Sequence, residues 1–261
     1  MGSLRLPAVA GLFYPADPRE LHAMVVGFLQ EAEPSTTIPK ALIAPHAGYI
    51  YSGPIAATAY APLMRARDTI KRVVLLGPSH RVGFLGLALS SAAFFVTPLG
   101  KVAVDPTARE SLAGLSQVLI LDQAHALEHS LEVHLPFLQE VLGEFTLVPL
   151  VVGDASPEAV AAVLERLWGG PETLIVVSSD LSHYHDYETA RRLDTATSHA
   201  IEELMPEAIH YEHACGRNPI NGLLTVARRR KMSTRTLDLR NSGDTAGSRD
   251  RVVGYGAYTF V

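Results

Sequence analysis

Apolar runs of strand length alternate along the chain with stretches of helical period. "KALIA" (40–44), "RVVLLG" (72–77), "FTLVPLVV" (145–152) and "ETLIVVS" (172–178) are nearly unbroken in apolar residues. Runs of this kind suit strands covered on both faces, and their alternation with helical stretches predicts βαβ units in a largely parallel sheet. Helix starts are marked in three places: Asp17 before Pro18 with Glu20 three residues on, Ser156 before Pro157, and Asn218 before Pro219. They predict helices over 17–31, 156–168 and 218–231.

"AHALEHSLEVHLPFLQEVLG" carries Leu127, Leu131, Leu135, Leu138 and Leu142 at steps of four, four, three and four. That spacing predicts one helical apolar stripe, with His125, Glu128, His129 and Glu132 on another face. "RVVGYGAYTFV" alternates imperfectly and suits a last strand, antiparallel at an edge of the sheet. No repeat, linker or low-complexity block divides residues 1–261, which read as one α/β domain: a central, mostly parallel or mixed sheet flanked by helices.

An apolar content of 48% is ample for a core in a chain of this length. With 22 basic against 27 acidic residues the net charge is -5, and the basic residues are dispersed except for Arg228, Arg229, Arg230 and Lys231. That run closes a predicted helix, where cations suit the helix dipole, so no nucleic-acid partner is expected. The lone cysteine, Cys215, excludes an internal disulfide. The first residues lack the charged start and apolar core of a secretion signal, no 18-residue apolar stretch spans a membrane, and Leu6 breaks the myristoylation pattern. A soluble, cytoplasmic protein with no membrane partner is expected.

The eleven histidines change the picture through their positions. Three apolar strands run into polar turns: "LIAPHAGYIYSG" delivers His46, "VVLLGPSH" delivers His80, and "LIVVSSDLSHYH" delivers Asp180 and His183. The carboxyl ends of parallel strands line one crevice, so these residues are expected to converge on a shared site. Two neutral imidazoles with one anionic ligand are a common way to hold a redox or Lewis-acid metal with open positions for substrate. The anionic candidates are Asp180, Glu128, Glu132 and Cys215. A thiolate at Cys215 would gain from the start of the predicted 218–231 helix and from Arg217.

Other readings stay open at this point. "HALEH" (125–129) matches the H-x-x-E-H pattern of zinc peptidases, a short pattern whose third ligand could only be guessed at Glu202 or Glu203. Cys215 with His213 as its base would make a hydrolase nucleophile. Tyr49 and Tyr51 beside His46, and Tyr184 beside His183, either line a pocket for an aromatic ligand or cover the sheet edge.

"AGLFYP" (10–15), "APHAGYIYSG" (44–53), "GPSH" (77–80), "EHSLEVHLPFL" (128–138), "SSDLSHYH" (178–185) and "CGRNPI" (215–220) together resemble the motifs of the Memo family. Its members resemble class III extradiol dioxygenases in fold, and in bacteria and archaea are known as protein B of the AmmeMemoRadiSam system. The resemblance implies a site at the strand ends that holds iron or copper, its metal triad falling on His46, His80 and Cys215 with Asp180 and His183 beside it. In the resembled dioxygenases the third ligand is a glutamate, and a second-sphere histidine serves as acid and base. Thiolate in its place is softer, which favours Fe(II), then copper, with zinc less suited.

Two functions follow as expectations. In one, the chain is a non-heme metal-dependent redox enzyme, dioxygenase-like or oxidase-like: His183 moves protons, Asp180 orients it or the metal-bound ligand, Phe13, Tyr49 and Arg217 meet the substrate, and Glu128 and His129 support the ligands. In the other it is a non-catalytic module that holds a peptide or phosphotyrosine in the same cleft. The resemblance further implies radical-SAM and AMMECR1-like proteins as partners, besides a peptide or a small aromatic ligand.

Overall fold

A computed structural model describes residues 2–33 and 37–261. The four apolar runs form four neighbouring parallel strands at the centre of a 12-stranded mixed sheet, in the order Thr146–Val152, Arg72–Pro78, Thr173–Ser178, Ala41–Ala44. Successive side chains of these strands enter opposite faces. Leu42, Ala44, Val73 and Leu75 pack into one core, and Ala41, Ile43, Val74 and Leu76 into the other. Burial on both faces is why the runs show no polar alternation.

The helices Pro18–Glu31, Tyr49–Tyr60 and Leu135–Leu142 cover the first face; Pro157–Leu167, Tyr187–Glu202 and Arg217–Arg230 cover the second. Two of the expected caps are present. The Asp17 side chain accepts from the backbone N–H of Arg19 and Glu20, and that of Ser156 from Ala159. The third differs: the last helix begins at Arg217 behind Gly216, with no side-chain cap. Asn218 instead donates through Nδ2 to the Gly153 carbonyl at 2.8 Å, tying the helix start to the end of a central strand. Among the described residues no helix is long and apolar enough to cross a membrane.

Two more expectations are corrected. The leucine-rich segment is not one helix but a short Asp122–Ala126 helix, a break, a 3-10 turn at Glu132–His134, and the helix Leu135–Leu142. Leu127 is 67% exposed and belongs to no buried stripe. Buried hydrogen bonds from Arg5 to the carbonyls of His125 and Glu128 satisfy backbone groups that a continuous helix would have used itself. The last strand, Val252–Phe260, is antiparallel as expected but lies inside the sheet, paired with Ala41–Ala44, Thr234–Asn241 and His183–His185.

Chain order places the site. Thr173–Ser178 is inserted between Ala41–Ala44 and Arg72–Pro78, so three strands that end together deliver their following turns to one crevice. Ala44 pairs with Ser178 in register and Leu76 with Val177, which brings the turns carrying His46, His80 and Asp180 side by side.

Candidate metal centre

His46, His80 and Cys215 each offer a ligand atom, and the three atoms lie within 4.8 Å of one another. The Cys215 Sγ is 3.3 Å from His46 Nε2. Two ligands of one transition-metal ion stand roughly 3–4.5 Å apart, so the spacing suits a single ion.

The protonation of both imidazoles follows from their partners. The Ser178 hydroxyl donates to the Ser130 carbonyl at 2.6 Å, so the His46 Nδ1–H must donate into Ser178 Oγ, also at 2.6 Å. His80 Nδ1 stands 2.9 Å from Glu128 Oε1 and donates to it. Each histidine is thus fixed with Nδ1 protonated and the Nε2 lone pair free, the arrangement in which an outer hydrogen bond fixes tautomer and ring orientation at metal sites. Burial, with the neighbouring histidines adding to it, holds His46 well below the usual histidine range and keeps it neutral.

Glu128 is a buried hub. Its Oε1 also accepts from the backbone N–H of His129 at 3.0 Å and Ser130 at 2.9 Å, and its Oε2 from the backbone of His80 at 2.6 Å. Burial works to raise its carboxyl, but these donors, His80 foremost, prevail and hold it at about 2. Three donors on Oε1 and one on Oε2 make Glu128 a support for His80, and a carboxylate oxygen of Glu128 also groups with His80 and His129 as a second set of possible ligands. Glu132 is likewise committed: it pairs with Arg5 and accepts from Tyr14 and from the backbone of Ala8 at 2.7 Å and Val9 at 3.0 Å. It therefore anchors the segment that carries Phe13 to the site.

Cys215 sits against the Thr173–Ser178 strand end. The Asp180 backbone N–H points at its sulfur at 3.3 Å, and Gly216 donates to Ser179 Oγ at 2.9 Å. Burial, then the Asp180 carboxylate, pushes the thiol up, so without a cation it stays protonated and shares its hydrogen with His46 Nε2. The aid expected from Arg217 is absent, because that guanidinium turns to the Tyr211 ring and to Asn218. A bound cation is what would make this sulfur a thiolate.

Asp180 is buried, and its Oδ1 accepts from the His46 backbone at 2.8 Å. Desolvation outweighs that bond and the nearby histidines and raises its carboxyl to about 6. Of its two expected roles, it does not orient His183, whose Nδ1 bonds the Leu181 carbonyl at 2.7 Å and leaves Nε2 free; its other oxygen, Oδ2, lies 3.9 Å from His46 Nε2, on the side of the metal-bound ligand. His129 stacks on His80 at 4.7 Å between ring centroids and meets Phe13 at 4.8 Å, and burial lowers it to about 4.

These groups open onto a cavity of about 760 Å³, lined among others by Phe13, His46, His80, His129, Asp180 and His183. Tyr49 and Arg217, expected to meet a substrate, are not on its wall; Tyr49 is buried, its hydroxyl donating to the Val133 carbonyl at 2.6 Å. Tyr51, two residues on, takes the place expected of Tyr49.

The alternatives lose their geometry. His125 bonds the Ala88 carbonyl at 3.0 Å beneath the Phe95 ring, away from His129, so H-x-x-E-H forms no zinc site. His213 Nδ1 accepts from the His210 backbone at 3.0 Å and serves no nucleophile. Sequence reasoning missed Ser178, Ser130 and Arg251. The serines carry a signal, in the "SSD" after the strand and in "EHS"; Arg251 carries none, because its loop approaches from the far side of the cleft.

The sequence profile of the family described as Memo-like protein matches residues 5–259. The chain belongs to the Memo family. A MEMO1 family protein of Aeropyrum pernix is 39% identical over 97% of this chain and 98% of its own length. One from Aquifex aeolicus is 37% identical over 99% of each chain, and one from Thermotoga neapolitana 36% over 97% and 98%. Memo family membership therefore extends over nearly the whole fold, and the α/β architecture with its mixed sheet is the one the motifs implied.

Proposed function

We propose that the chain is a metal-dependent oxidoreductase in which His46, His80 and Cys215 hold Fe(II), with copper the second choice. The observation that carries this reading is the pair of fixed tautomers: two Nε2 lone pairs beside one sulfur, each imidazole held from behind by its own acceptor. Two neutral imidazoles and one thiolate would leave an Fe(II) charge of +1, with open positions for an anionic or reducible ligand.

The metal would supply one-electron redox chemistry. The protein's own part is to position and to move protons. His183, held at Nδ1 by Leu181, takes or returns a proton at Nε2, and Asp180 at about 6 exchanges one near neutral pH. Phe13 and Tyr51 wall the cleft beside the centre. A sulfur ligand in place of the carboxylate of extradiol dioxygenases is more easily oxidised, which points to oxidase-like chemistry as readily as to ring cleavage.

Anaerobic purification, Fe(II) loading and metal analysis of wild type, His80→Ala and Cys215→Ser test the proposal. About one iron per wild-type chain, lost in both variants, is expected. Equal and negligible iron and copper in all three overturn it. A tyrosine phosphopeptide that binds unchanged after chelation and in Cys215→Ser would favour the non-catalytic module instead.

A further inference from the structure

A row of aromatic rings leads from the proposed metal centre into the core. His129, stacked on His80, meets Phe13 at 4.8 Å between ring centroids, and the next residue, Tyr14, meets Tyr49 at 5.4 Å. Tyr49 meets Phe137 at 5.1 Å, and Phe137 stacks on Tyr60 at 5.3 Å with the ring planes 13° apart. Tyr14, Tyr49, Phe137 and Tyr60 are all buried. Rings at these separations are by themselves ordinary core packing. What sets this row apart is what its tyrosine hydroxyls bond.

A phenol that has lost one electron becomes strongly acidic, so it gives up that electron readily where a base stands ready for its proton. Tyr49 donates to the Val133 carbonyl at 2.6 Å, and Tyr255, on the cavity wall, meets the Ser242 hydroxyl; neither partner is a base. Tyr14 donates to Glu132, whose two oxygens are already shared with Arg5 and with the backbone of Ala8 and Val9. Tyr60, at the far end of the row, faces His134 Nδ1 at 2.7 Å.

His134 is buried, and its Nε2 has no hydrogen-bond partner among the described residues. With the ring hydrogen on Nδ1, both the Tyr60 O–H and the Nε2 lone pair would go unpaired. With it on Nε2, Nδ1 accepts from Tyr60 and a single N–H is left over, which is the smaller cost. Tyr60 therefore donates, and Nδ1 is the lone pair that can take its proton. An imidazole sunk in an apolar core with one nitrogen unpaired costs stability, and a redox or catalytic role is one of the few reasons to keep it. Burial holds the His134 ring neutral, at about 3, and an oxidised phenol is more acidic still, so proton transfer to Nδ1 runs downhill.

We propose that Tyr60 and His134 form a redox-active pair, a built-in one-electron donor that the row of rings connects to the metal centre. This rests on the reading of the cleft as a metal-dependent oxidoreductase, and gives that centre a second source of electrons. With hydrogen peroxide as the oxidant, Fe(II) and Tyr60 each give one electron. The O–O bond of the peroxide breaks and, with two protons from solvent, two waters form, while Fe(II) becomes Fe(III). The Tyr60 O–H bond breaks, its proton forms an N–H bond at His134 Nδ1, and Tyr60 is left as a neutral phenoxyl radical beside an imidazolium. The pair thus lets a one-electron metal complete a two-electron reduction of its oxidant.

Freeze-quench electron paramagnetic resonance of anaerobic, Fe(II)-loaded full-length protein mixed with hydrogen peroxide tests it, with metal content measured on the same samples. Wild type should give a phenoxyl radical whose splitting narrows when the chain carries ring-deuterated tyrosine. Tyr60→Phe should lose the signal and His134→Gln most of it, both at wild-type iron content and with circular dichroism unchanged. Two readouts need no variant to fold. Isotopically labelled histidine nitrogen should couple to the wild-type radical, through the Nδ1–H that His134 then donates to the Tyr60 oxygen. In metal-free wild type, nitrogen magnetic resonance should show His134 protonated at Nε2, with Nδ1 accepting a hydrogen bond. A radical that survives in Tyr60→Phe, no radical at full iron loading, no coupling to histidine nitrogen, or His134 protonated at Nδ1 overturns this proposal and leaves the metal reading standing. Failure to take up iron or copper overturns the metal reading, and this proposal with it.

Discussion

At the scale of single residues, the proposed metal centre would depend on hydrogen bonds behind His46 and His80 as much as on the three proposed ligands. Glu128 is the clearest case, because one carboxylate accepts four N–H groups, two of them from His80. Glu128→Gln keeps the shape but turns one acceptor into a donor, so at least one of those N–H groups faces another N–H. We expect metal affinity to fall about 10- to 100-fold, the range found for outer partners of ligating histidines, while the three ligands stay in place. Competition with a chromophoric chelator reads this directly, and unchanged affinity would show that the Glu128 bonds do not tune His80. Ser178 plays the corresponding part for His46. Sequence names Glu128 as a support of the ligands and marks Ser178 only through the "SSD" at the strand end; which atoms each one bonds depends on contacts made across the fold.

Among the elements, the cysteine loop is placed by backbone contact. A Cβ at Gly216 would lie 2.5 Å from the Ser178 carbonyl oxygen and 2.6 Å from Ser179 Cβ, and a strand end in the middle of the sheet cannot give way. Gly216→Ala should therefore push the loop off Thr173–Ser178, cost about 1–3 kcal/mol of stability and carry Cys215 away from His46. Gly27→Ala is the control: it lies in the helix Pro18–Glu31 with nothing within 4 Å of its Cβ, so it should be neutral or stabilising by up to about 1 kcal/mol. Urea unfolding with metal analysis separates the two, and equal stability and metal content in both would refute the steric account. The elements differ in how much sequence reveals of them. Doubly buried strands announce themselves as apolar runs, and Asp17 and Ser156 as caps, because burial and capping are local demands. The stretch 122–142 misleads because its leucine spacing imitates a helix while Arg5, more than a hundred residues away, takes its carbonyls. Likewise the interior place of Val252–Phe260 depends on a strand that joins late, and Arg217 faces Tyr211 through a contact no spacing encodes.

For the whole molecule, the buried histidines set how folding responds to acid. Burial lowers His125 to about 4, His134 to about 3 and His129 to about 4, from an ordinary value of 6.5. Their partners suit the neutral ring: His125 bonds the Ala88 carbonyl, and His134 Nδ1 meets the Tyr60 hydroxyl at 2.7 Å. Between about pH 6.5 and 4 the unfolded chain binds more protons at these sites than the folded one, so stability falls as pH falls. Glu128, held at about 2 against 4.5, extends the loss below that window. Asp180 acts oppositely, since a carboxyl raised to about 6 takes up its proton more readily in the fold and offsets part of the loss between pH 6 and 4. The depressed groups, which include His46, outnumber the two carboxyls that burial raises, Asp180 and Asp194, and leave a net decrease. Each tenfold change in proton affinity is worth about 1.4 kcal/mol, so even a heavily screened sum is a sizeable share of a typical stability of about 5–15 kcal/mol. Urea unfolding of chelator-treated protein at pH 7, 6, 5 and 4 should show the midpoint dropping most steeply between pH 6 and 4. His134→Gln, which removes one titrating ring, should flatten that slope even though it lowers stability at pH 7. A midpoint that holds constant or rises on acidification would mean that His125, His129 and His134 are hydrated in solution and not held neutral by burial.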